Sequence, residues 1–212
     1  MRTSASSDAT PAKRRCRAEA PGVRVTTTTG QTASYGRTAV LLHWAIALLI
    51  AIGFTVGLTM VDLPLSPQKA KVFAYHKWIG ITVLGLALVR VAWRATHAGP
   101  AELPMPGWQR LAARATHVLL YVLMLAIPLV GWMYTSAAGF PVVYLKLVQL
   151  PDLVSRDKEL AALLKLVHKV LAWSLSGVVA LHVAAALKHH FIDRDTTLRR
   201  MLAWRRPQGN RP

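Results

Sequence analysis

The sequence predicts an all-α membrane protein, a four-transmembrane-helix bundle with both termini in the cytoplasm. Three observations carry that expectation. Four apolar runs are each long enough to cross a bilayer core of about 30 Å. Hydrophobic residues make up 53% of the 212-residue chain and charged residues only 17%, with a mean hydropathy of +0.34. The cations stand at the ends of the apolar runs, as membrane topology demands.

The formal charge of +17 does not point to nucleic acid, because Lys and Arg form no continuous basic face. Membrane lipid is the expected partner, and no nucleic acid. The single cysteine, Cys16, cannot form an internal disulfide, and there is no CxxCH for covalent haem attachment. Arg14 and Arg15 look like a twin-arginine signal, but no apolar segment follows them, so a basic cytosolic tail is the better reading.

Residues 1–34 are rich in Ala, Ser, Thr, Pro and Arg without an apolar period, and read as a disordered basic tail. A membrane domain is expected over 35–202, followed by a basic tail over 203–212. The first span is expected at about 38–60, entered through Tyr35, Gly36 and Arg37 and broken by Asp62, Pro64 and Pro67. The second is expected at about 72–93, ending on Arg90 and Arg94. Pro100, Pro104 and Pro106 forbid helix in the loop that follows. The third, about 115–134, starts after Arg110 and Arg114, and Pro128 predicts a kink in it. The stretch from Ala137 to Ala162 is too short and too broken by proline to cross, and is expected to lie along the interface as a cap. The fourth span is expected at about 163–190, and Leu198, Met201, Leu202 and Trp204 beyond it suit a short surface helix.

Orientation follows from the cations. Eighteen Lys and Arg fall in the two tails and the middle loop, against eight in the other two loops. That asymmetry puts both termini inside.

Eight histidines are present, and four lie within spans at informative depths. His168 and His182 are 14 residues apart in the last span, which places both on one helix face about 21 Å apart. His43 is early in an outward-running helix and His76 early in an inward-running one. Matching depths pairs His43 with His182 and His76 with His168. Polar rings in a bilayer mark function by default, the plain alternative being buried imidazoles bonded to backbone. The spans hold no acidic residue, which argues against zinc, a di-iron carboxylate centre or a carboxylate-coupled proton relay. Haem iron needs only two axial imidazoles. One turn beyond the four histidines stand Ala47, Gly80, Ala172 and Ala186, all small, which leaves clearance for a porphyrin.

The segments YGRTAVLLHW, HKWIG, RATHVLLYVL, the His-x13-His spacing of the last span and LKHHFIDRDTTLRRM resemble the bacterial cytochrome b561 family, in particular its b561-homologue subgroup. The resemblance covers about Tyr35 to Leu202. It implies a four-helix inner-membrane cytochrome with two non-covalent haem b groups, ligated by His43, His76, His168 and His182. It also implies electron transfer between a periplasmic donor or acceptor and the quinone pool, with ubiquinone or another quinone as exchangeable partner. One member type is similar to a superoxide oxidase, which makes a quinone-linked oxidoreductase the alternative function. A haem-free histidine transporter is the remaining rival.

Other polar residues are less specific. Lys77 and Lys169 each follow an outer histidine. They are either snorkelling lysines or, with Lys69 and Lys71, cations that offset propionates and attract a small anionic reductant. Arg37, Arg90, Arg94 and Arg114 play the same part inside, or anchor helix ends. His117 has no depth-matched partner and is expected near an inner propionate or a quinone, or as an interfacial histidine. His97, His189 and His190 read as interfacial.

Overall fold

The computed structural model describes residues 35–97 and 105–202. The expected tails at 1–34 and 203–212 lie outside the described residues, as does Trp204. Four long helices carry the fold: α1 (Arg37–Asp62), α2 (Pro67–Thr96), α3 (Gly107–Ala137) and α4 (Lys158–Phe191). Each is long and apolar enough to cross a membrane. α2, α3 and α4 each run a turn or more past at least one of the limits expected from hydropathy, and α1 by two residues. The reason is that polar first and last turns continue the helix into the headgroup layer, where hydropathy no longer reports it.

The helix ends are chemically marked. Pro67 opens α2 at the position where a missing N–H costs nothing, and the Ser66 hydroxyl accepts the Lys69 N–H at 3.3 Å. Lys69 Nζ donates to the Leu63 carbonyl at 2.6 Å and the Val61 carbonyl at 3.2 Å, which satisfies the end of α1. Asp157 caps α4 by accepting the Glu159 and Leu160 N–H groups at 2.9 and 3.0 Å. α3 runs unbroken through Pro128.

α1 packs on α2, α2 on α3 and α3 on α4. Ile46, Ala87 and Met124 make a small core among the first three helices, and Ala137, Ala161 and Leu164 a second between the last two. Large apolar side chains such as Leu48, Val89, Val118 and Leu181 point outward, each more than half exposed. A water-soluble bundle would bury such a ring of side chains; lipid leaves it free to face out. α1 and α4 meet through side chains instead, with Phe54 edge-on to Trp173 at 5.4 Å, and beyond α4 the Trp44 Nε1 donates to the Met201 carbonyl at 3.0 Å. Met201 belongs to α5 (Thr197–Leu202), the short helix expected after the last span.

The stretch between α3 and α4 holds an antiparallel hairpin of β1 (Val142–Tyr144) and β2 (Val148–Leu150). It is held on the bundle by four side-chain bonds. Lys77 Nζ donates to the Pro141 carbonyl at 3.0 Å, Trp78 Nε1 to Val143 at 2.7 Å and Trp132 Nε1 to Pro151 at 3.0 Å, while Thr82 and Tyr144 share a hydroxyl bond at 2.9 Å. Its turn places Leu145 and Lys146 at φ of 50° and 60°, a region that glycine or asparagine ordinarily fills.

Candidate functional site

The four intramembrane histidines meet in two pairs. His43 of α1 faces His182 of α4 with ring centroids 6.3 Å apart and planes at 73°. His76 of α2 faces His168 of α4 at 6.2 Å and 80°. Those spacings have a simple chemical meaning. A metal–imidazole bond of about 2.0 Å, plus about 1.15 Å from ring nitrogen to ring centre, doubled for two collinear ligands, gives about 6.3 Å. Both pairs stand at the separation of two imidazoles that share one metal. The same spacing also falls within the range of about 4.5–7 Å for edge-to-face ring packing, and His117 and His182 pack that way at 5.4 Å.

The His168 ring is fixed from behind. Its Nδ1 lies 3.0 Å from the Ile127 carbonyl, and a carbonyl can only accept, so Nδ1 carries the proton. The Nε2 lone pair is then free for a metal, because the bond from Nδ1–H to the carbonyl fixes the tautomer and the ring orientation. A Cβ placed on Gly131 would meet His168 Cε1 at 3.0 Å and Nδ1 at 3.1 Å, and one on Gly57 would meet His76 Cε1 at 3.1 Å. Glycine at these positions lets each imidazole lie against the backbone of a neighbouring helix. In the sequence, Gly53 and Gly57 form a GxxxG that reads as close helix packing, and nothing local marks Gly131.

A cavity of about 100 Å³ lies between His76 and His168, lined also by Gly53, Gly80, Met124 and Ala172. Gly80 and Ala172 are two of the four small residues expected to give clearance; Ala47 and Ala186, the other two, are half-buried one turn from His43 and His182. His76 Nδ1 is buried without a hydrogen-bond partner among the described residues, so that ring has unused polar capacity at the cavity.

The remaining candidate residues fall as follows. His117 sits edge-on to His182, which adds a third imidazole to the His43–His182 level. Arg90 lies close enough to His43, His117 and His182 to act on each electrostatically. It also donates to the Ala39 carbonyl at 3.0 Å and the Tyr121 hydroxyl at 3.2 Å. Lys77 is engaged by the hairpin at Pro141. Lys169 and Arg37 are exposed. His189 lies outside both pairs, bonded to Asp195 at 2.8 Å, and His97 stacks on Trp93 at 3.8 Å.

The chain is similar to known proteins. A family profile described as prokaryotic cytochrome b561 matches residues 34–204. Cytochrome b561 homolog 2 of Escherichia coli (strain K12) is 36% identical over 170 residues, 79% of this chain and 90% of that protein. Cytochrome b561 homolog 1 of the same strain is 31% identical over 179 residues, covering 81% and 98%. A Yersinia pestis protein named "Probable superoxide oxidase CybB" is 28% identical over 166 residues, covering 78% and 93%. With four apolar helices, two facing histidine pairs and these relatives, the chain belongs to the prokaryotic cytochrome b561 family of membrane electron-transfer proteins.

Proposed function

We propose that the protein is a di-haem b cytochrome that carries electrons across the bacterial inner membrane, between a periplasmic-side donor or acceptor and the quinone pool. The family implies haem b. The observation that carries the di-haem reading is the equal spacing of the two histidine pairs, 6.3 and 6.2 Å. His43 with His182 would hold the inner group, and His76 with His168 the outer one. When bound, haem b supplies a one-electron couple, and the rest of the chemistry is the protein's.

The chain's own residues bind, orient and bias. The Ile127 carbonyl holds the His168 tautomer. Gly80 and Ala172 keep the space beside the outer pair open, and Ala47 and Ala186 do the same at the inner pair. Arg90 places a cation beside the inner pair, which favours the less positive, reduced state of a group held there. His117 is a contact for an inner propionate or for quinone, and Arg37 stands at the same level as a cation for either. Lys77 and Lys169 flank the outer pair, and their charge suits a small anionic reductant. The cation count supports the orientation with both termini inside.

A reduced-minus-oxidised absorption spectrum of detergent-purified protein tests the assignment: two b-type components are expected in a redox titration. A colourless preparation from haem-replete cells refutes it, and would favour a histidine transporter. The second reading, a superoxide:quinone oxidoreductase, is favoured by the name of the Yersinia pestis relative. Rapid mixing with superoxide decides it: haem reduction near the diffusion limit supports an enzyme, and slow or absent reduction leaves an electron carrier.

A further inference from the structure

A cavity lies away from the histidine pairs, between the end of α3 and the start of α4. Its volume is about 580 Å³. Three cations line it, Arg156, Lys158 and Lys165, over a floor that includes Ala137 and Ala161. Both alanines are buried, at 2% and 8% exposure, so the floor is apolar and firmly packed.

The one acid in the lining, Asp157, is committed elsewhere. Its carboxylate accepts the Glu159 and Leu160 N–H groups as the cap of α4. Arg156 donates to the Gly139 carbonyl at 3.4 Å, which carries no charge to balance it. Lys158 and Lys165 form no ion pair or side-chain hydrogen bond with any described residue. Three positive groups therefore face one cavity against the single carboxylate of Asp157, which leaves an excess of positive charge in the lining.

The position adds a second constraint. Lys158 and Lys165 are seven residues apart on α4, so they share a helix face about 10 Å apart along the axis. Lys165 is three residues from His168, within the apolar part of the span. About a quarter-turn around the same helix from the lysine face, which Lys169 continues, Leu166, Val170 and Trp173 are each more than half open. An occupant therefore meets cations in the cavity and apolar side chains on the adjoining face of the helix. A free anion would use only the first of these features.

We propose that this cavity binds the headgroup of an anionic phospholipid, with its phosphate among Arg156, Lys158 and Lys165 and an acyl chain along Leu166, Val170 and Trp173. Basic pockets between membrane helices are suited to such headgroups. The site is independent of the haem assignment, because none of its residues belongs to a histidine pair.

The test uses the full chain in nanodiscs of phosphatidylcholine containing a minor fraction of phosphatidylglycerol, followed by detergent extraction and native mass spectrometry. The wild type should retain phosphatidylglycerol in preference to phosphatidylcholine. The double variant Lys158→Gln/Lys165→Gln should lose that preference by on the order of tenfold or more, at a bilayer-surface strength for two cations. The variant Lys158→Arg/Lys165→Arg should keep it. Inorganic phosphate added at millimolar concentration should not displace the lipid. Equal retention of both lipids by the wild type, or an unchanged preference in the glutamine variant, overturns the proposal. Displacement by phosphate alone overturns the lipid assignment in favour of a simple anion site. Should the glutamine pair fail to fold, Arg156→Gln is read in its place and must weaken the preference.

Discussion

Replacing Gly131 with alanine isolates the support of one imidazole from the stability of the fold. The new Cβ would stand 3.0 Å from His168 Cε1 and 3.1 Å from Nδ1, whereas ordinary carbon contacts are about 3.5–4.0 Å. The ring must retreat by a few tenths of an ångström. That retreat strains the 3.0 Å bond to the Ile127 carbonyl, a loss of up to about 1 kcal/mol. It also adds overpacking of about 1–3 kcal/mol. Alanine returns about 1 kcal/mol through its helix propensity. The net cost of about 1–3 kcal/mol falls on the position of His168, and weakens a ligand shared by that pair by about 5- to 150-fold. Haem content per chain, measured by absorbance with a redox titration, should therefore fall toward one component in Gly131→Ala. Gly85→Ala is the control, since a Cβ there meets nothing within 4 Å. A Gly131→Ala protein with both components at unchanged potentials would refute the reasoning.

Four further outcomes follow from the same geometry. His168→Ala should remove one haem and leave the component held by His43 and His182, and His182→Ala the reverse, both read in the redox-titrated spectrum. His117→Ala should keep both components, because its 5.4 Å spacing to His182 is shorter than two ligands on one metal require. Trp78→Phe deletes the 2.7 Å bond to Val143 and should loosen the hairpin by about 1 kcal/mol, seen as faster amide exchange over residues 142–150 with the spectrum unchanged. Asp195 reports on pH. Partial burial pushes its carboxyl up, but bonds from Thr197 and the His189 ring outweigh that and hold it below its ordinary value of 3.8. A carboxyl lowered by folding stabilises above its unfolded value and loses that contribution as pH falls through the folded one. Amide exchange over residues 193–202 should accordingly rise on acidification below about pH 4, and this rise should be absent in Asp195→Asn.

The sequence was most informative where one helix face carried the information. The four spans follow from hydropathy, and the two-level placement of His168 and His182 from their spacing on a single helix. Depth then set His43 opposite His182 and His76 opposite His168, and the structure brings those rings together. What stayed hidden depends on contacts between elements. Nothing local marks Gly131 as the residue behind His168, because that contact joins α3 to α4. The hairpin was also unreadable: Leu145 and Lys146 occupy its turn where glycine or asparagine would have signalled it, and the bonds from Lys77, Trp78 and Trp132 hold it in place. Lys77 appeared as a helix-end cation, and its bond to Pro141 could not be foreseen from composition.

Both levels share α4 as a common ruler. Each pair draws its second ring from a different helix, α1 or α2, but its first from this one rod, so the vertical gap between levels is fixed by covalent geometry and backbone hydrogen bonds. Thermal sway of α1 or α2 can alter the grip at one level without changing the interval to the other. For a transfer whose rate falls off steeply with distance, a single rigid gauge spares the protein from tuning that interval through side-chain packing.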